Sequence, residues 1–484
     1  MNDLKDKLLN HFEGRVVRKD LVRDIKVSVN VPTYVLEYLI GKYCASTDPD
    51  LIEEGLKQVK SILSEHFVRN EELDLIKHKI RDKGSYKIID KLKARLYETE
   101  DKYWAELATC GLKKINIDEK FVKEYEQMLS EGLWAILDIG YNVEKDKGGK
   151  RRPFFIENIK PIQLPNVDVE RIRENRSEFT KDEWIDVLLH SIGLDPDGFS
   201  EREKMLLMIR LVPFVENNYN LVELGPRGTG KSFVYREISP YSTLISGGKT
   251  TVAKLFQNLT TGQIGLLGFW DAVAFDEVGG MKFRDDNMVL MLKDYMESGM
   301  FSRGRETIPA YASLIYIGNI KLNVKQLLAS GEHLFAPFPE EMQDLAFLDR
   351  IHYFIPGWDI PKMSSGLFTD DFGFLSNYIS EFLREQRNRS YSDILSKYVD
   401  LNDQFSKRDT KAVQKTVSGL IKLIHPDGEY TEEDIVEYVR YATEGRRRVK
   451  EQLRRMDEEE YGNTSLGFAY GEEEKIVKLD EEGF

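Results

Sequence analysis

A short glycine-rich stretch, "LVELGPRGTGKSF" at residues 221–233, constrains the fold of this chain more than any other feature. Within it, Gly225, Gly230, Lys231 and Ser232 satisfy the pattern GxxxxGK[ST]. Glycines let backbone N–H groups turn inward around phosphates, the lysine reaches the β and γ oxygens, and the serine hydroxyl binds Mg²⁺. An ordinary tight turn is the alternative interpretation. An apolar run before the loop and a helical pattern after it favour the phosphate site. The predicted nucleotide-contacting residues are Gly225, Pro226, Arg227, Gly228, Thr229, Gly230, Lys231 and Ser232.

Polar residues stand at the ends of three later apolar runs, after the first two and before the third. "WDAVAFDEVGG" ends in Asp276 and Glu277, and paired carboxylates at a strand end suit an aspartate linked to Mg²⁺ and a glutamate that orients water. "ASLIYIGNI" places Asn319 at a strand end, where its amide can touch the γ-phosphate; a turn-forming asparagine is the alternative. Arg350 precedes the last run, and an arginine can stabilise charge on a transferred phosphoryl group. A surface ion pair is the alternative for Arg350.

Length and composition predict a multidomain globular chain. A chain of 484 residues exceeds one ordinary core, and its 41% hydrophobic content supplies apolar material for two to four units. No apolar run reaches 18 residues and the first residues lack a signal peptide's apolar centre, so we expect a cytoplasmic protein with no membrane partner. The two cysteines, Cys44 and Cys110, and the scattered histidines support neither a disulfide framework nor structural zinc.

Negative charge is concentrated at the end of the sequence. The net charge is −14, and residues 457–484 hold ten acidic residues against two lysines. We therefore expect residues 457–484 to form a solvated, mobile acidic tail. The rest of the chain is close enough to neutral for local basic loops to attract phosphates.

The patterns along the chain predict an order of domains. Apolar residues at three- and four-residue steps predict a helix over 52–67, within a helical region 1–80. Several short strands then predict a small β-barrel of the oligonucleotide-binding (OB) kind over 81–174. Thr180 and Glu183 form a capping box near the start of an α/β core over 175–362, and helical patterns fill 363–456.

Two basic segments are candidate phosphate contacts. The first, "EKDKGGKRR", is a predicted hairpin tip with Lys150, Arg151 and Arg152, for which a solvated loop is an equal alternative. The second, "SGMFSRGRETIPAYAS", places Arg303 and Arg305 around a glycine between two strand-like arms. Salt bridges within or between subunits are the alternative for Arg303 and Arg305.

The motifs in this order resemble those of an AAA+ ATPase: "GPRGTGKS", "VAFDE", "IYIGN" and "FLDR", followed by a helical lid. Longer phrases, including "FDEVGG", "KDYMESGMFSRG" and "AFLDRIHYFIPGW", resemble the Lon-related BrxL proteins of bacteriophage exclusion (BREX) systems. These proteins are similar in architecture to minichromosome maintenance helicases. The resemblance implies an N-terminal DNA-binding region, an AAA+ motor, and a homo-oligomeric ring, hexameric or heptameric, that can stack in pairs. It also implies ATP-dependent action on double-stranded DNA in antiphage defence, with other BREX proteins as partners.

The resemblance also implies roles for single residues. Lys231 and Ser232 would bind phosphate and Mg²⁺, Asp276 would bind Mg²⁺, and Glu277 would polarise water. Asn319 would be the first sensor, and Arg350 would act on the neighbouring subunit's nucleotide. The second sensor would be Arg408, with Arg446, Arg447 and Arg448 as competitors. Arg303 and Arg305 match the place of a channel hairpin that contacts DNA. Beyond the lid we expect no peptidase domain, because only a short acidic segment remains.

Three functions remain open on this sequence. The first is a ring ATPase that binds duplex DNA in its channel and translocates along it or remodels it. The second is a protein unfoldase, which is disfavoured because residues 251–268 contain no clear aromatic–apolar–glycine pore loop. The third is a nucleotide-gated scaffold for other defence proteins.

Overall fold

The computed structural model of the protein describes residues 2–26, 31–44, 48–68, 70–129, 132–142, 152–162, 168–246, 249–259, 262, 264–283, 287–303, 306–320, 324–329, 331–462, 464–471 and 473–479. The chain forms two compact units. The smaller unit comprises residues 12–167, and the larger comprises residues 168–484 together with residues 1–11. The first helix, α1 (Asn2–His11), therefore belongs to the larger unit.

The smaller unit contains a closed β-barrel and several helices. Its strands are β1 (Val16–Arg18), β2 (Ser85–Tyr97), β3 (Lys102–Leu107), β4 (Ile115–Asn116), β5 (Leu133–Tyr141) and β6 (Phe154–Pro161). Its helices are α2 (Lys19–Lys26), α3 (Thr33–Tyr43), α4 (Pro49–His66), α5 (Leu73–Lys83) and α6 (Glu119–Glu124). The barrel closes in the order β2-β3-β4-β6-β5.

The sequence pattern explains these elements. Asp48 accepts a hydrogen bond from the N–H of Asp50, which caps α4, and the apolar face of α4 buries Val59 and Leu63. In β2 the alternation of apolar and basic residues places Leu92 in the barrel core and leaves the lysines on the other face. The helix expected over 52–67 is thus present in α4.

The larger unit is built on a parallel sheet flanked by helices. The strands of the larger unit, inside and outside this sheet, are β7 (Asn220–Gly225), β8 (Ser242–Ile245), β9 (Lys249–Thr250), β10 (Ala272–Phe275), β11 (Lys282–Phe283), β12 (Met300–Arg303), β13 (Glu306–Pro309), β14 (Ser313–Asn319), β15 (Tyr353–Pro356), β16 (Phe372–Phe374), β17 (Asp400–Leu401), β18 (Gly467–Tyr470) and β19 (Glu473–Ile476). The order in the central sheet is β15-β7-β14-β10-β8, and every neighbouring pair is parallel. The carboxyl ends of these strands therefore meet at one edge.

Helices cover this sheet and extend beyond it. They are α7 (Glu170–Arg176), α8 (Lys181–Ser191), α9 (Glu201–Val215), α10 (Lys231–Glu237), α11 (Val252–Leu255), α12 (Asn287–Ser298), α13 (Val324–Ala329), α14 (Leu345–Leu348), α15 (Ser376–Gln386), α16 (Ile394–Tyr398), α17 (Lys407–Ile424), α18 (Glu432–Met456) and α19 (Glu458–Tyr461). The capping box of Thr180 and Glu183 begins α8 as expected. None of the described helices combines the length and apolar character that a membrane crossing requires.

The unit boundary lies earlier than the expected residue 175. Helix α7 already belongs to the larger unit: Ile172 is fully buried, and the Arg176 guanidinium donates to the carbonyl oxygens of Phe179 and Ile424. The charged sequence of α7 resembles a linker, and the buried contacts of these two residues make it part of the core.

The expectation of a solvated, mobile tail is wrong for residues 464–471 and 473–479. Strand β18 pairs with β17 and β19, and the side chains of Leu466 and Phe468 are fully buried. Val477 is also buried, and its carbonyl oxygen accepts a hydrogen bond from Arg447. The expectation was wrong because it rested on the acidic composition of the segment and not on its few apolar residues. Each of these buries hydrocarbon away from water on folding, which stabilises the ordered structure.

Candidate nucleotide-binding site

Three strands of the central sheet deliver the predicted site residues to one cavity. In the register of β7 and β14, Asn319 is the partner of Gly225, and β10 is the next strand on the far side of β14. The cavity has a volume of about 400 Å³, within the range of small-molecule sites. Its lining residues are Arg227, Gly228, Thr229, Gly230, Lys231, Ser232, Phe233, Asp276, Glu277 and Asn319. The structure thus brings together Lys231, Ser232, Asp276, Glu277 and Asn319.

Steric contacts and backbone angles explain why glycine occupies three positions of the loop. A Cβ atom at Gly225 would lie 2.5 Å from the carbonyl carbon of Gly357, so only glycine allows this close approach of two backbones. Gly228 and Gly230 have φ angles of +87° and +77°, in the region that favours glycine. The loop is therefore held open around the cavity by its backbone.

Lys231 is the buried cation of the loop. Its Nζ atom donates to the carbonyl oxygen of Pro226 at 2.6 Å and lies 3.3 Å from Oγ1 of Thr229. Burial lowers the pKa of Lys231, the Glu223 carboxylate raises it, and the Arg210 guanidinium lowers it. The ammonium group thus lies against the same loop whose backbone would surround a bound phosphate.

The two carboxylates after β10 have different surroundings. Asp276 is half-buried; its backbone N–H donates to the Ile245 carbonyl oxygen and its Oδ1 accepts from the N–H of Glu277, both at 2.9 Å. Glu277 is exposed and has φ 52° and ψ 48°, a left-handed conformation that is uncommon for a residue with a side chain. Such backbone outliers cluster at functional sites. Asp276 is therefore fixed and Glu277 faces the open cavity.

A buried ion pair that the sequence patterns did not predict lies beneath this loop. Arg210 in α9 and Glu223 in β7 form two hydrogen bonds, of 2.9 and 2.6 Å, and their side chains are 1% and 0% exposed. A charged residue within the apolar runs "MLLMIRLVPFV" and "NLVELG" was the available signal, because unpaired charges are rarely fully buried. Phe233, which lines the cavity, was also missed.

Arg350 and Arg408 lie close to each other, at a crevice separate from the nucleotide cavity. Neither lines the nucleotide cavity of its own chain. Nε of Arg350 and Nε of Arg408 are each 3.2 Å from the same Glu297 oxygen, and Arg408 also donates to Asp349 at 2.7 Å. With Lys411 they line a small crevice. The structure therefore separates these two arginines from the loop residues.

The three arginines of α18 that compete with Arg408 for the role of second sensor make ion pairs and hydrogen bonds within the larger unit. Arg446 is buried and binds Asp349 and Asp409 at 2.6 and 2.7 Å. Arg447 donates to the carbonyl oxygen of Val477, and Arg448 donates to Glu444 at 2.9 Å. None of the three lines the nucleotide cavity.

Most of the predicted DNA contacts lie outside the described residues. This is so for Lys150, Arg151 and Arg305, and the side chain of Arg303, which ends β12, is likewise not described. Arg152 is described: it donates to both carboxylate oxygens of Glu100 at 2.8 and 3.1 Å and stacks over Trp104. Hydrogen bonds from Arg152 and then Trp104 lower the pKa of Glu100 to about 2. The charge of Arg152 is thus largely matched within the barrel.

A parallel sheet with a glycine-rich loop and lysine at the end of β7 and carboxylates at the end of β10 defines a P-loop nucleotide-binding domain. Two protein families match this sequence and identify which P-loop proteins it resembles. Residues 154–467 match the family described as "Lon-like protease BrxL-like, ATPase domain", and residues 10–141 match "BREX system Lon protease-like protein BrxL N-terminal". The chain belongs to the BrxL family of BREX systems, as its motifs indicated. Membership implies a place in antiphage defence.

Two curated relatives are similar over nearly the whole chain. A protein of Bacillus cereus (strain H3081.97) is 50% identical over 486 residues, which cover 100% of this chain and 72% of that protein. A protein of Escherichia coli O9:H4 (strain HS) is 49% identical over 481 residues, covering 99% of this chain and 69% of that protein. Both relatives are named Lon-like protease BrxL. The domain that contains the candidate site here is the ATPase domain.

Proposed function

We propose that this protein is a ring-forming AAA+ ATPase that binds duplex DNA in its central channel and uses ATP hydrolysis to move along or remodel it in BREX defence. The observation that carries the ATPase proposal is the convergence of Lys231, Ser232, Asp276, Glu277 and Asn319 on one cavity. These are the residue types that phosphoryl transfer requires: a cation, oxygen ligands, and a carboxylate that can orient water.

Each residue of the cavity has a separate task in this proposal. Lys231 contacts the β and γ phosphates, and the hydroxyl of Ser232 and the carboxylate of Asp276 are oxygen donors that fit Mg²⁺. Bound Mg²⁺ would neutralise phosphate charge. Glu277, exposed to the cavity, orients the attacking water, and Asn319 contacts it or the γ-phosphate. We propose that all eight residues of the loop, 225–232, contact the nucleotide; the backbone N–H groups surround the phosphates at every position except Pro226, which has no N–H and only shapes the turn.

Arg350 is proposed to act on the nucleotide of the neighbouring subunit. Its exclusion from the cavity of its own chain supports this, as does its position beside Arg408 and Lys411 at a crevice. The same carboxylate oxygen of Glu297 lies 3.2 Å from Nε of Arg350 and from Nε of Arg408, so this carboxylate keeps the two arginines side by side. We propose a hexameric or heptameric ring in which Arg350 completes each site and Arg408 is a second sensor.

The charge of the smaller unit supports contact with DNA. Residues 12–167 contain 28 Lys and Arg against 27 Asp and Glu, although the whole chain has 69 against 83. A local positive potential attracts the phosphate backbone even when net charge is negative. We propose that the barrel is OB-like and binds DNA, with Lys150, Arg151 and Arg152 near it, and that Arg303 and Arg305 contact DNA in the channel.

The remaining assignments follow the same proposal. Helices α15 to α18 form the lid of the ATPase core, and the protein works in the cytoplasm with other BREX proteins. The closed barrel and the packing of α17 against α18 and α9 support this division.

Glu277→Gln tests the hydrolytic step. The variant keeps the shape of the side chain but loses the carboxylate that orients water, so we expect ATP binding near wild type and turnover lower by about a hundredfold or more. Binding is measured with labelled ATP and turnover by phosphate release. Glu341→Gln, at an exposed position outside the cavity, is the matched control and keeps wild-type turnover. Equal turnover in Glu277→Gln and wild type would remove the proposed mechanism.

A further inference from the structure

The Arg210–Glu223 pair lies at the centre of the phosphate-binding strand and loop. Glu223 is in β7, two residues before Gly225, and Arg210 reaches it from α9. Both side chains are almost completely enclosed. Enclosing two charges costs solvation energy, and an apolar pair of similar size would pack as well. Core stability alone therefore does not account for this pair.

A third hydrogen bond connects the pair to the loop. Nη1 of Arg210 donates to the carbonyl oxygen of Thr229 at 3.2 Å, and Thr229 is itself fully buried. Oγ1 of Thr229 lies 3.3 Å from Nζ of Lys231. A continuous series of polar contacts thus runs from Glu223 through Arg210 and Thr229 to Lys231.

The backbone of Arg210 is fixed by the helix that follows the loop. The Tyr235 hydroxyl in α10 donates to the Arg210 carbonyl oxygen at 2.8 Å, and Tyr235 is fully buried. Arg210 therefore contacts the strand before the loop, the loop itself and the helix after it. A planar guanidinium suits this task because its donors point in several fixed directions.

We propose that Arg210 and Glu223 are positioning residues for nucleotide binding: the carboxylate orients the guanidinium, which holds the Thr229 carbonyl and with it the loop conformation that receives the triphosphate. The inference rests on the proposed ATP site. It differs from a purely structural role because it predicts loss of nucleotide affinity beyond any loss of stability.

Arg210→Lys and Glu223→Gln test the proposal in the full-length chain. A lysine has one nitrogen in place of the three guanidinium nitrogens that contact Glu223 and Thr229, so it loses the fixed fork of donors. An amide at residue 223 lacks the charge that orients Arg210. We expect each variant to bind ATP about tenfold more weakly, with turnover at saturating ATP within a few-fold of wild type. Arg210→Met should lose more affinity than Arg210→Lys. If Arg210→Met does not fold, the two milder variants carry the test.

Lys19→Met is the matched control. It breaks another buried ion pair, Lys19–Glu37 at 2.7 Å, in the other unit, so it should lower the unfolding temperature and leave ATP affinity unchanged. Binding is measured by titration at a temperature where all variants are folded. Wild-type affinity in Arg210→Lys and Glu223→Gln, with only lowered unfolding temperatures, would overturn the inference. Lys231→Ala separates the two proposals: if it also binds ATP normally, the proposed site itself is wrong.

Discussion

At the scale of single residues, a half-buried cation holds the backbone just before a strand of the central sheet. The ammonium group of Lys415 in α17 donates to the carbonyl oxygens of Asn217 and Asn218, at 2.5 and 3.0 Å. Asn218 has φ 50° and stands just before β7, the strand that leads into the loop. Burial lowers the pKa of Lys415 to about 8; the Glu216 carboxylate raises it, and Lys411, Lys422 and Arg387 lower it. This lysine therefore connects α17 to the segment that leads into β7.

Stability should depend on pH through Lys415. Between pH 8 and 10.5 the unfolded chain keeps a proton that folded Lys415 has lost, so the contribution of this residue to the unfolding free energy rises with pH. The difference between wild type and Lys415→Met should increase by up to about 1 kcal/mol per pH unit. Denaturant unfolding at several pH values measures it. Lys407→Met, at an exposed position of the same helix, is the control that removes a lysine without removing these two hydrogen bonds. Parallel curves for wild type and Lys415→Met would contradict the assigned pKa.

Some site residues could be predicted from sequence and others could not. Lys231, Asp276 and Asn319 each follow an apolar run, and the chemistry of a strand end in a parallel sheet is local information. Arg210 and Glu223 meet only because α9 packs on β7. Their partnership depends on tertiary structure, so no spacing in the sequence indicates it.

At the scale of elements, helix α5 carries three basic residues near its end: Lys79 and Lys83 lie one turn apart on one side, and Arg81 lies between them on another side. Lys79 and Lys83 lie 5.5 and 5.3 Å from the ring centroid of Tyr86, and Arg81 is exposed. Among the described residues, no carboxylate is within salt-bridge distance of these three cations, whereas Lys77 pairs with Asp74 at 3.0 Å. Asp82 is the exposed acidic residue between them. In the proposed function, cations of this kind would contact the phosphate backbone of DNA.

If the proposed DNA binding uses these three cations, neutralising them should weaken that binding in a salt-dependent way. For Lys79→Gln, Arg81→Gln and Lys83→Gln combined, we expect the slope of log affinity against log salt to fall by about 2 to 3, since each lost phosphate contact removes about 0.9. Fluorescence anisotropy with a labelled duplex at several salt concentrations measures the slope.

The control removes the same charge from lysines that already pair with carboxylates on α4 and α6: Lys57→Gln, Lys120→Gln and Lys123→Gln. Its slope should stay near that of wild type. Equal slopes in the α5 variant and wild type would remove α5 from the DNA contact, even if the protein still binds DNA elsewhere.

Secondary structure was predictable where the pattern was long and periodic. Helix α4 and the apolar strands β7, β10 and β14 follow directly from their residues. The strand β18 was not predictable, because short apolar segments among acidic residues resemble a solvated tail until β17 supplies a pairing partner. The order of the barrel strands also depends on long-range pairing that no local pattern encodes.

At the scale of the whole molecule, membership in the BrxL family and the two units give a consistent account. The larger unit holds the ATPase domain with its nucleotide cavity, and the smaller unit carries almost balanced charge in an otherwise acidic chain. The central claim is that one subunit supplies Lys231 and its neighbour supplies Arg350. A shared site of this kind requires a head-to-tail interface, which forms a closed ring when the rotation between subunits closes.

Co-assembly of two inactive variants tests this claim most directly. Lys231→Ala lacks the loop cation but keeps Arg350, and Arg350→Ala keeps the loop but lacks the arginine. Each alone should be nearly inactive. In a co-expressed, randomly mixed ring, about one site in four combines an intact loop with an intact neighbouring arginine, so ATPase activity should return to about a quarter of wild type. Activity no greater than that of the two variants measured separately would contradict a nucleotide site shared between subunits.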